Sequence, residues 1–309
     1  PPRSTLFPYT TLFRSVNAFL EDELGVRWPS GGDIAYRTQN PILVKNTSFS
    51  WAPELKLRGI RGKTPGMQEW RSRFRTGAHN PPLYGHAFTN WWQKYGKDHP
   101  DYFAMNYGKR QPAKLGQKQD ENVAAFTGPM MQMIALCVSN DAVVEQIIAN
   151  WDKKSEYINL CENDAPDELS CHCDKCCALD ALKKGEPFTH NLADRYVNFA
   201  NRVLAAARKY RPDVKVTMYA YNASQNAPKR EKVDPSVVIG VVPTDFTMNG
   251  LEKYVGDWKK AGLNHFFYRP NRHFYYMLLL PAGHEEYFFK VFQYMTRQEI
   301  GRASCRERV

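Results

Sequence analysis

The chain has 309 residues, of which 43% are hydrophobic and 24% are charged, and its formal net charge is +10. This composition is typical of a globular protein, and no apolar stretch approaches the roughly 18 residues that span a bilayer, so the sequence predicts no membrane span. Lysine and arginine are spread along the chain rather than grouped in a run, which argues against nucleic acid or an anionic membrane as the partner.

Both ends of the chain are expected to be artefacts. Residues 7–15, FPYTTLFRS, resemble translated sequencing-adapter DNA, and residues 299–309, EIGRASCRERV, resemble the same adapter read from its other strand. We therefore exclude residues 1–15 and 299–309 from the reasoning on the fold. The natural segment, residues 16–298, is expected to be a piece of a longer protein, so the lack of a signal peptide carries no information.

The first natural element is a predicted helix over residues 16–24, which have apolar side chains at helical spacing and are followed by Gly25, a residue suited to a helix C-cap. A turn-rich stretch follows, and residues 42–44 are a predicted strand. We interpret residues 16–52 as the end of an N-terminal α/β domain.

From residue 53 onward, predicted strands and helices alternate. The seven predicted strands are residues 55–62, 82–88, 133–139, 157–163, 214–221, 237–242 and 265–269. The predicted helices are residues 68–75, 89–96, 141–151, 189–211, 251–261 and 283–297. Alternation of this kind indicates βαβ units and a parallel sheet.

Seven strands in this order predict a (β/α)₈ TIM barrel, truncated before its last strand, over residues 53–298. The rival architecture is an open doubly wound sheet. No glycine-rich phosphate loop follows any predicted strand, so a nucleotide-binding sheet is less favoured. In a barrel, the reacting groups lie where the strands end.

The fourth predicted strand ends in three polar residues, Glu162, Asn163 and Asp164. Side chains alternate along a strand, so Glu162 and Asp164 are expected on one side and Asn163 on the other. A strand that delivers carboxylates to a loop is suited to acid/base chemistry. The alternative for Asp164 is a structural role in a turn.

The other strand ends supply aromatic, amide, basic and acidic groups. The candidates are Asp245 as an opposing catalytic acid, and His86, Trp91, Trp92, Asn163, Tyr219, Tyr221, Arg269 and Asn271 as substrate contacts. Carboxylates across a cleft with aromatic and amide groups are what glycosidic chemistry requires. Alternatives remain: His86 is also consistent with a core histidine, and Asp245 with a helix cap before Asn249.

Four cysteines follow the acids at positions 171, 173, 176 and 177. The C-x-C-x-x-C spacing with one adjacent cysteine predicts either a structural zinc site or disulfides that hold the loop. Cys161, His172 or His190 would be substitute ligands. A catalytic zinc is less favoured, because cysteine-rich sites are usually closed.

Several stretches carry a family resemblance over most of residues 18–245. They are FLEDELGVRWPSGGD with LKLRGIRG, GHAFTNWW with HPDYFAMNYGKR, IALCVSNDAVV, and ENDAPDELSCHCDKC with DRYVNFANRVLAAARKYRPDVKV. The chain resembles an uncharacterised bacterial domain-of-unknown-function family of glycosidase-like TIM barrels, common in polysaccharide degraders. The first stretch is also similar to the junction before the barrel in α-glucuronidases and β-hexosaminidases. In the hexosaminidases an Asp-Glu pair ends strand four, whereas here the order is Glu162-Asn163-Asp164.

The resemblance implies a barrel that acts on carbohydrate. We therefore expect a glycoside hydrolase that uses carboxylate acid/base chemistry and needs no cofactor for catalysis, in a secreted or periplasmic protein. The alternatives are a non-catalytic carbohydrate-binding barrel and a zinc-dependent hydrolase. A separation of about 5 to 10 Å between the carboxyl groups of Asp164 and Asp245 would favour hydrolysis.

Overall fold

The computed structural model describes residues 9–29, 33–38, 41–44, 57–58, 69, 71, 73, 77–78, 82–110, 134–183, 186–244, 247–269 and 285–298. The chain divides into two units, residues 1–81 with 302–309 and residues 82–301. The domain boundary predicted between residues 52 and 53 falls inside the first unit and stays a prediction, as does the artefact interpretation of the two ends.

The first unit contains helix α1, Tyr9–Asp22, which begins earlier than predicted. Gly25 follows it with a φ of +67°, as a helix C-cap requires. Strand β1, Leu57–Arg58, pairs antiparallel with β2, Gly77–Ala78. The described part of the strand predicted over residues 55–62 therefore lies in an antiparallel pair, not in the parallel sheet.

The second unit is built on a four-stranded parallel sheet in the order β5-β6-β7-β8. Its strands are Tyr157–Asn159 (β5), Lys215–Ala220 (β6), Val237–Val241 (β7) and His265–Tyr268 (β8). All five residues of β7 are buried, as expected for a parallel strand covered on both faces. The predicted mixed α/β fold with a parallel sheet is confirmed, and closure into a barrel stays a prediction.

Helices connect or flank these strands. They are Trp91–Tyr95 (α2), Asp141–Asn150 (α3), Asp174–Leu179 (α4), Ala193–Ala207 (α5), Met248–Lys260 (α6) and Glu285–Arg297 (α7). The Asn140 side chain accepts from the N–H of Ala142 and caps α3. Thr247 caps α6 in the same way, through the N–H of Gly250. Within the described residues, no helix has both the length and the apolar character needed to cross a membrane.

Helix α5 forms the centre of the packing in this unit. Val197, Ala200, Leu204 and Ala207 are fully or almost fully buried, and their spacing of three or four residues places them on one face. The helix packs against β6, β7 and α3. Burial of a valine or leucine side chain contributes about 1.5–3 kcal/mol, so this face anchors the helix to the sheet.

Two predicted strands take a different form. Residues 82–88 run beside β5, the outer strand of the sheet, without forming a strand. The carbonyl of Gly85 accepts from the side-chain Nδ2 of Asn159 instead of from a backbone N–H. Residues 134–138 meet residues 102–104 through an antiparallel bridge between Phe103 and Leu136. Side-chain amides take part of the role of a backbone ladder here, which hydrophobic periodicity alone does not reveal.

A short hairpin lies before the second of these segments. Its strands are Met105–Asn106 (β3) and Lys109–Arg110 (β4), which pair antiparallel. The two turn residues, Tyr107 and Gly108, have φ values of +49° and +75°. Positive φ at both positions is typical of a type I′ turn, whose twist matches a tight hairpin.

Candidate active site and cysteine cluster

The end of β5 and the segment that carries His86 are held side by side. The N–H of Ala87 donates to the carbonyl of Cys161 at 3.0 Å, and the N–H of Phe88 donates to Oδ1 of Asn163 at 3.3 Å. These bonds place His86 next to the acids that follow β5. The two segments are therefore neighbours, although residues 82–88 do not form the predicted strand.

His86 contacts both acidic residues of the strand end. Its Nε2 lies 3.0 Å from Oδ2 of Asp164, and its Nδ1 donates to the backbone carbonyl of Glu162 at 3.2 Å. The hydrogen bond with Asp164 raises the pKa of His86 above 6.5, although partial burial and the charge of Arg269 act in the opposite direction. Because Nδ1 must keep its proton to reach a carbonyl, the contact with Asp164 favours the doubly protonated, cationic ring.

Glu162 lies in a contrasting environment. Its Oε1 is buried and has no hydrogen-bond partner among the described residues. Burial raises the pKa of this carboxyl to about 8, because the charged form loses its hydration without gaining a partner. The side chain borders a cavity of about 20 Å³ lined by Tyr196, Tyr219 and Tyr221 among others, enough room for one water molecule. At neutral pH this carboxyl therefore carries a proton.

Tyr219 and Arg269 come from two further strand ends. The guanidinium of Arg269 lies 5.5 Å from the centre of the Tyr219 ring, a distance at which a cation is attracted to the ring face. The N–H of Arg269 donates to the carbonyl of Val241, so Arg269 follows β8 directly. The carboxyl ends of the strands thus bring together His86, Glu162, Asp164, Tyr219 and Arg269.

Three other predicted substrate contacts, Asn163, Trp91 and Trp92, bond or pack against neighbouring residues of the protein. Asn163 is buried; its Oδ1 accepts from Phe88 and its Nδ2 donates to the carbonyl of Ile134, so it joins two segments to the strand end. Trp91 is 7% exposed and packs edge-on against Phe88. Trp92 packs against Phe103.

The burial of Trp91 leaves little of its indole for a sugar to reach. Asp245 and Asn271 lie outside the described residues.

The cysteine cluster consists of Cys137, Cys171, Cys173 and Cys176, whose sulfur atoms all lie within 4.8 Å of one another. Three of the four predicted ligands are present, but Cys137 takes the place of Cys177, which is exposed. Successive residues on a helix point about 100° apart, so Cys176 and Cys177 on α4 cannot both face the cluster. All six cysteines in the described residues are free thiols, so the predicted disulfides are not formed.

Polar groups that the sequence analysis missed surround the cluster. The β3–β4 hairpin brings the N–H of Met105 to 3.2 Å from the Cys171 sulfur. Hydrogen bonds from the Cys171 and Cys176 thiols lower the pKa of Cys137; burial opposes this effect, and Arg110 and Ser139 add to it. Four sulfur ligands with such donors could hold a soft metal ion.

A buried ion pair supports the loop that carries the cysteines. Arg195, on α5, is fully buried and pairs with Asp180 just after α4. The same guanidinium donates to the carbonyl of Cys171 at 2.8 Å. Arg195 therefore fixes the loop at both ends, at Cys171 and Asp180.

Comparison with known proteins places this architecture in a family. The family described as "Domain of unknown function (DUF4838)" matches residues 28–279 of the chain. No curated protein and no solved structure matches the chain. Because the match covers most of the chain, the protein belongs to this family of unknown function, DUF4838.

Proposed function

We propose that the protein is a carbohydrate-active enzyme, a glycoside hydrolase that uses the acids at the end of β5. The observation that carries the proposal is the contrast between two carboxyl groups two residues apart. Glu162 is half-buried with its Oε1 enclosed, and its pKa is raised to about 8, whereas Asp164 is exposed at the surface and paired with His86. Carboxyl groups in contrasting environments can divide the roles of proton donor and nucleophile or base between them.

The proposed roles follow from these environments. Glu162 would protonate the glycosidic oxygen of the leaving group, because its carboxyl keeps a proton near neutral pH. Asp164 would act as nucleophile or as the group that activates water or a substrate substituent. Asp245, outside the described residues, remains the proposed opposing acid.

The neighbouring side chains suit a sugar. Tyr221 is half-buried at the mouth of the small cavity next to Glu162, and Arg269 presents a cation beside Tyr219. A sugar presents apolar ring faces and hydroxyl groups. The aromatic rings and hydrogen-bond donors at the carboxyl ends of the strands can contact both. We also propose, as the family resemblance implies, that the protein is secreted or periplasmic.

The test is turnover of a panel of fluorogenic aryl glycosides, covering hexoses, N-acetylhexosamines and uronic acids. For a substrate that the protein cleaves, Asp164→Asn and Glu162→Gln should each lower kcat/KM by about 100-fold or more. The matched control is Glu145→Gln, on the exposed face of α3, which should keep full activity. Unchanged activity in Asp164→Asn would remove Asp164 from the mechanism.

The second candidate is a non-catalytic carbohydrate-binding barrel. It is favoured by Arg269, a half-buried cation held against the Tyr219 ring, which can donate to a sugar without any chemistry. It predicts that a glycan binds, as measured by calorimetry, without release of any product over long incubation. Turnover of any glycoside that disappears in Glu162→Gln would exclude it.

A further inference from the structure

The four sulfur atoms of the cluster have the spacing of a metal tetrahedron. The sulfur of Cys137 lies 3.7 Å from that of Cys173 and 3.9 Å from that of Cys176. A tetrahedral zinc with a Zn–S distance of about 2.3 Å places its ligands about 3.8 Å apart. A disulfide would need about 2.0 Å. These two distances, with all four sulfur atoms within 4.8 Å of one another, fit separate ligands of one metal ion rather than a disulfide.

Hydrogen-bond donors and a cation lie around the sulfur atoms of the cluster. The backbone N–H of Met105 donates to the sulfur of Cys171, and the N–H of Cys176 donates to Cys173. The guanidinium of Arg110 reaches Cys137 and Cys173. Such donors are the outer contacts that stabilise sulfur ligands, and a cation offsets the negative charge of a tetrathiolate centre.

The cluster is also closed to solvent. Cys137, Cys171 and Cys176 are no more than 3% exposed, and the fourth ligand, Cys173, is half-buried. A site with four protein ligands and no open position is structural rather than catalytic. Four sulfur ligands in a tetrahedron suit zinc or iron.

We propose that Cys137, Cys171, Cys173 and Cys176 bind one structural zinc ion. The ion joins the segment of residues 134–138 to the loop that begins at the acids after β5 and ends at α4. It thereby adds a cross-link between these two segments, which are also joined by the hydrogen bond from Nδ2 of Asn163 to the carbonyl of Ile134. The proposal does not depend on the reaction, so it stands or falls separately from the glycosidase assignment.

The test is metal analysis of the purified full chain, by mass spectrometry of the elements, with about one zinc ion per chain expected. Cys137→Ser and Cys176→Ser should lose the metal. Cys177→Ser is the matched control, since it removes the neighbouring cysteine, which is exposed, and should keep zinc. Metal loss in Cys177→Ser together with retention in Cys137→Ser would overturn the ligand set.

Cobalt spectroscopy keeps the test independent of variants that fail to fold. Co²⁺ exchanged into the wild-type protein should give the charge-transfer bands of a tetrahedral four-thiolate site, and Cys177→Ser should give the same spectrum. Cys173→His should retain the metal with a shifted spectrum, because imidazole replaces the most exposed sulfur ligand. Wild-type protein that contains neither bound zinc nor a cobalt thiolate spectrum, or that contains iron instead, would overturn the proposal.

Discussion

The carboxylate of Asp164 lies 3.0 Å from Nε2 of His86, and the opposite nitrogen of the same ring bonds to the carbonyl of Glu162. The ring therefore links the side chain of the exposed Asp164 to the backbone of Glu162. Since the Nδ1 proton is committed to the carbonyl, the protonation of Nε2 is governed by Asp164. This relationship makes the His86 titration a direct probe of the site.

Replacement of Asp164 by Asn should lower the pKa of His86. The hydrogen bond with the carboxylate is the largest cause of the raised pKa; without it, burial and Arg269 would favour the neutral ring. The measurement is an NMR titration of the His86 ring protons in both proteins. Glu168→Gln, an exposed acid on the same loop, is the control and should leave the titration unchanged. An unaltered His86 pKa in Asp164→Asn would contradict the described contact.

Glu162→Gln should change how stability depends on pH. The folded-state pKa is raised from 4.5 to about 8, so between these values the folded protein holds a proton that the unfolded chain has released. Wild-type stability therefore falls as pH rises through this window. Glutamine is neutral at every pH, so the variant does not lose stability in this way as the pH rises.

The melting temperature of Glu162→Gln, relative to that of the wild type, should consequently be higher at pH 8 than at pH 5. Thermal unfolding followed by circular dichroism measures both. Glu145→Gln, whose side chain is exposed, should show no such trend. Parallel melting curves across the pH range for Glu162→Gln and the wild type would mean that Glu162 is not held protonated.

The sequence predicts the parallel sheet and the helix caps well because these depend on local patterns. The runs around β6, β7 and β8 are apolar and rich in β-branched and aromatic residues, and Asn140 precedes the apolar periodicity of α3. The sequence does not predict Cys137 as a ligand of the cluster, because Cys137 is far from Cys171 along the chain and only the fold brings the two together. A signal was present: Cys137 lies, like Cys161, at the end of an apolar run.

The properties of the acids could be predicted only in part. Alternation along the strand predicted over residues 157–163 places Glu162 and Asp164 on the same side, but it does not show that one carboxyl is enclosed and the other exposed. That difference arises from Tyr196 and Tyr219, which line the cavity at Glu162 and belong to distant parts of the sequence. The role of Asn163 as a link between residues 88 and 134 likewise depends on packing.

Asp180→Asn should destabilise the second unit strongly. Arg195 is fully buried, and its Nε lies 2.7 Å from Oδ1 of Asp180. Removal of one partner leaves a buried charge uncompensated, at a cost of about 3–5 kcal/mol. Urea unfolding measures the loss. Asp213→Asn, in an exposed pair with Arg211, should leave the midpoint unchanged, because solvent screens that pair. Equal midpoints for the two variants would show that Asp180 does not hold the loop.

A pair of glycine substitutions separates packing beside the site from helix propensity. A Cβ at Gly240, on β7, would lie 2.5 Å from the Phe267 ring and 2.6 Å from the Tyr219 ring. Both rings are buried, so Gly240→Ala forces them apart and should cost about 1–3 kcal/mol in the free energy of unfolding.

Gly256, within α6, has open space around the same position. Gly256→Ala should therefore raise the free energy of unfolding by about 0.5–1 kcal/mol, since alanine favours the helix. Urea unfolding of both variants gives the comparison. Because Tyr219 packs between Gly240 and Arg269, Gly240→Ala should also weaken any glycan binding, whereas Gly256→Ala should not. A Gly240→Ala protein as stable as Gly256→Ala would show that the Tyr219 ring has room to move and does not form a rigid wall of the site.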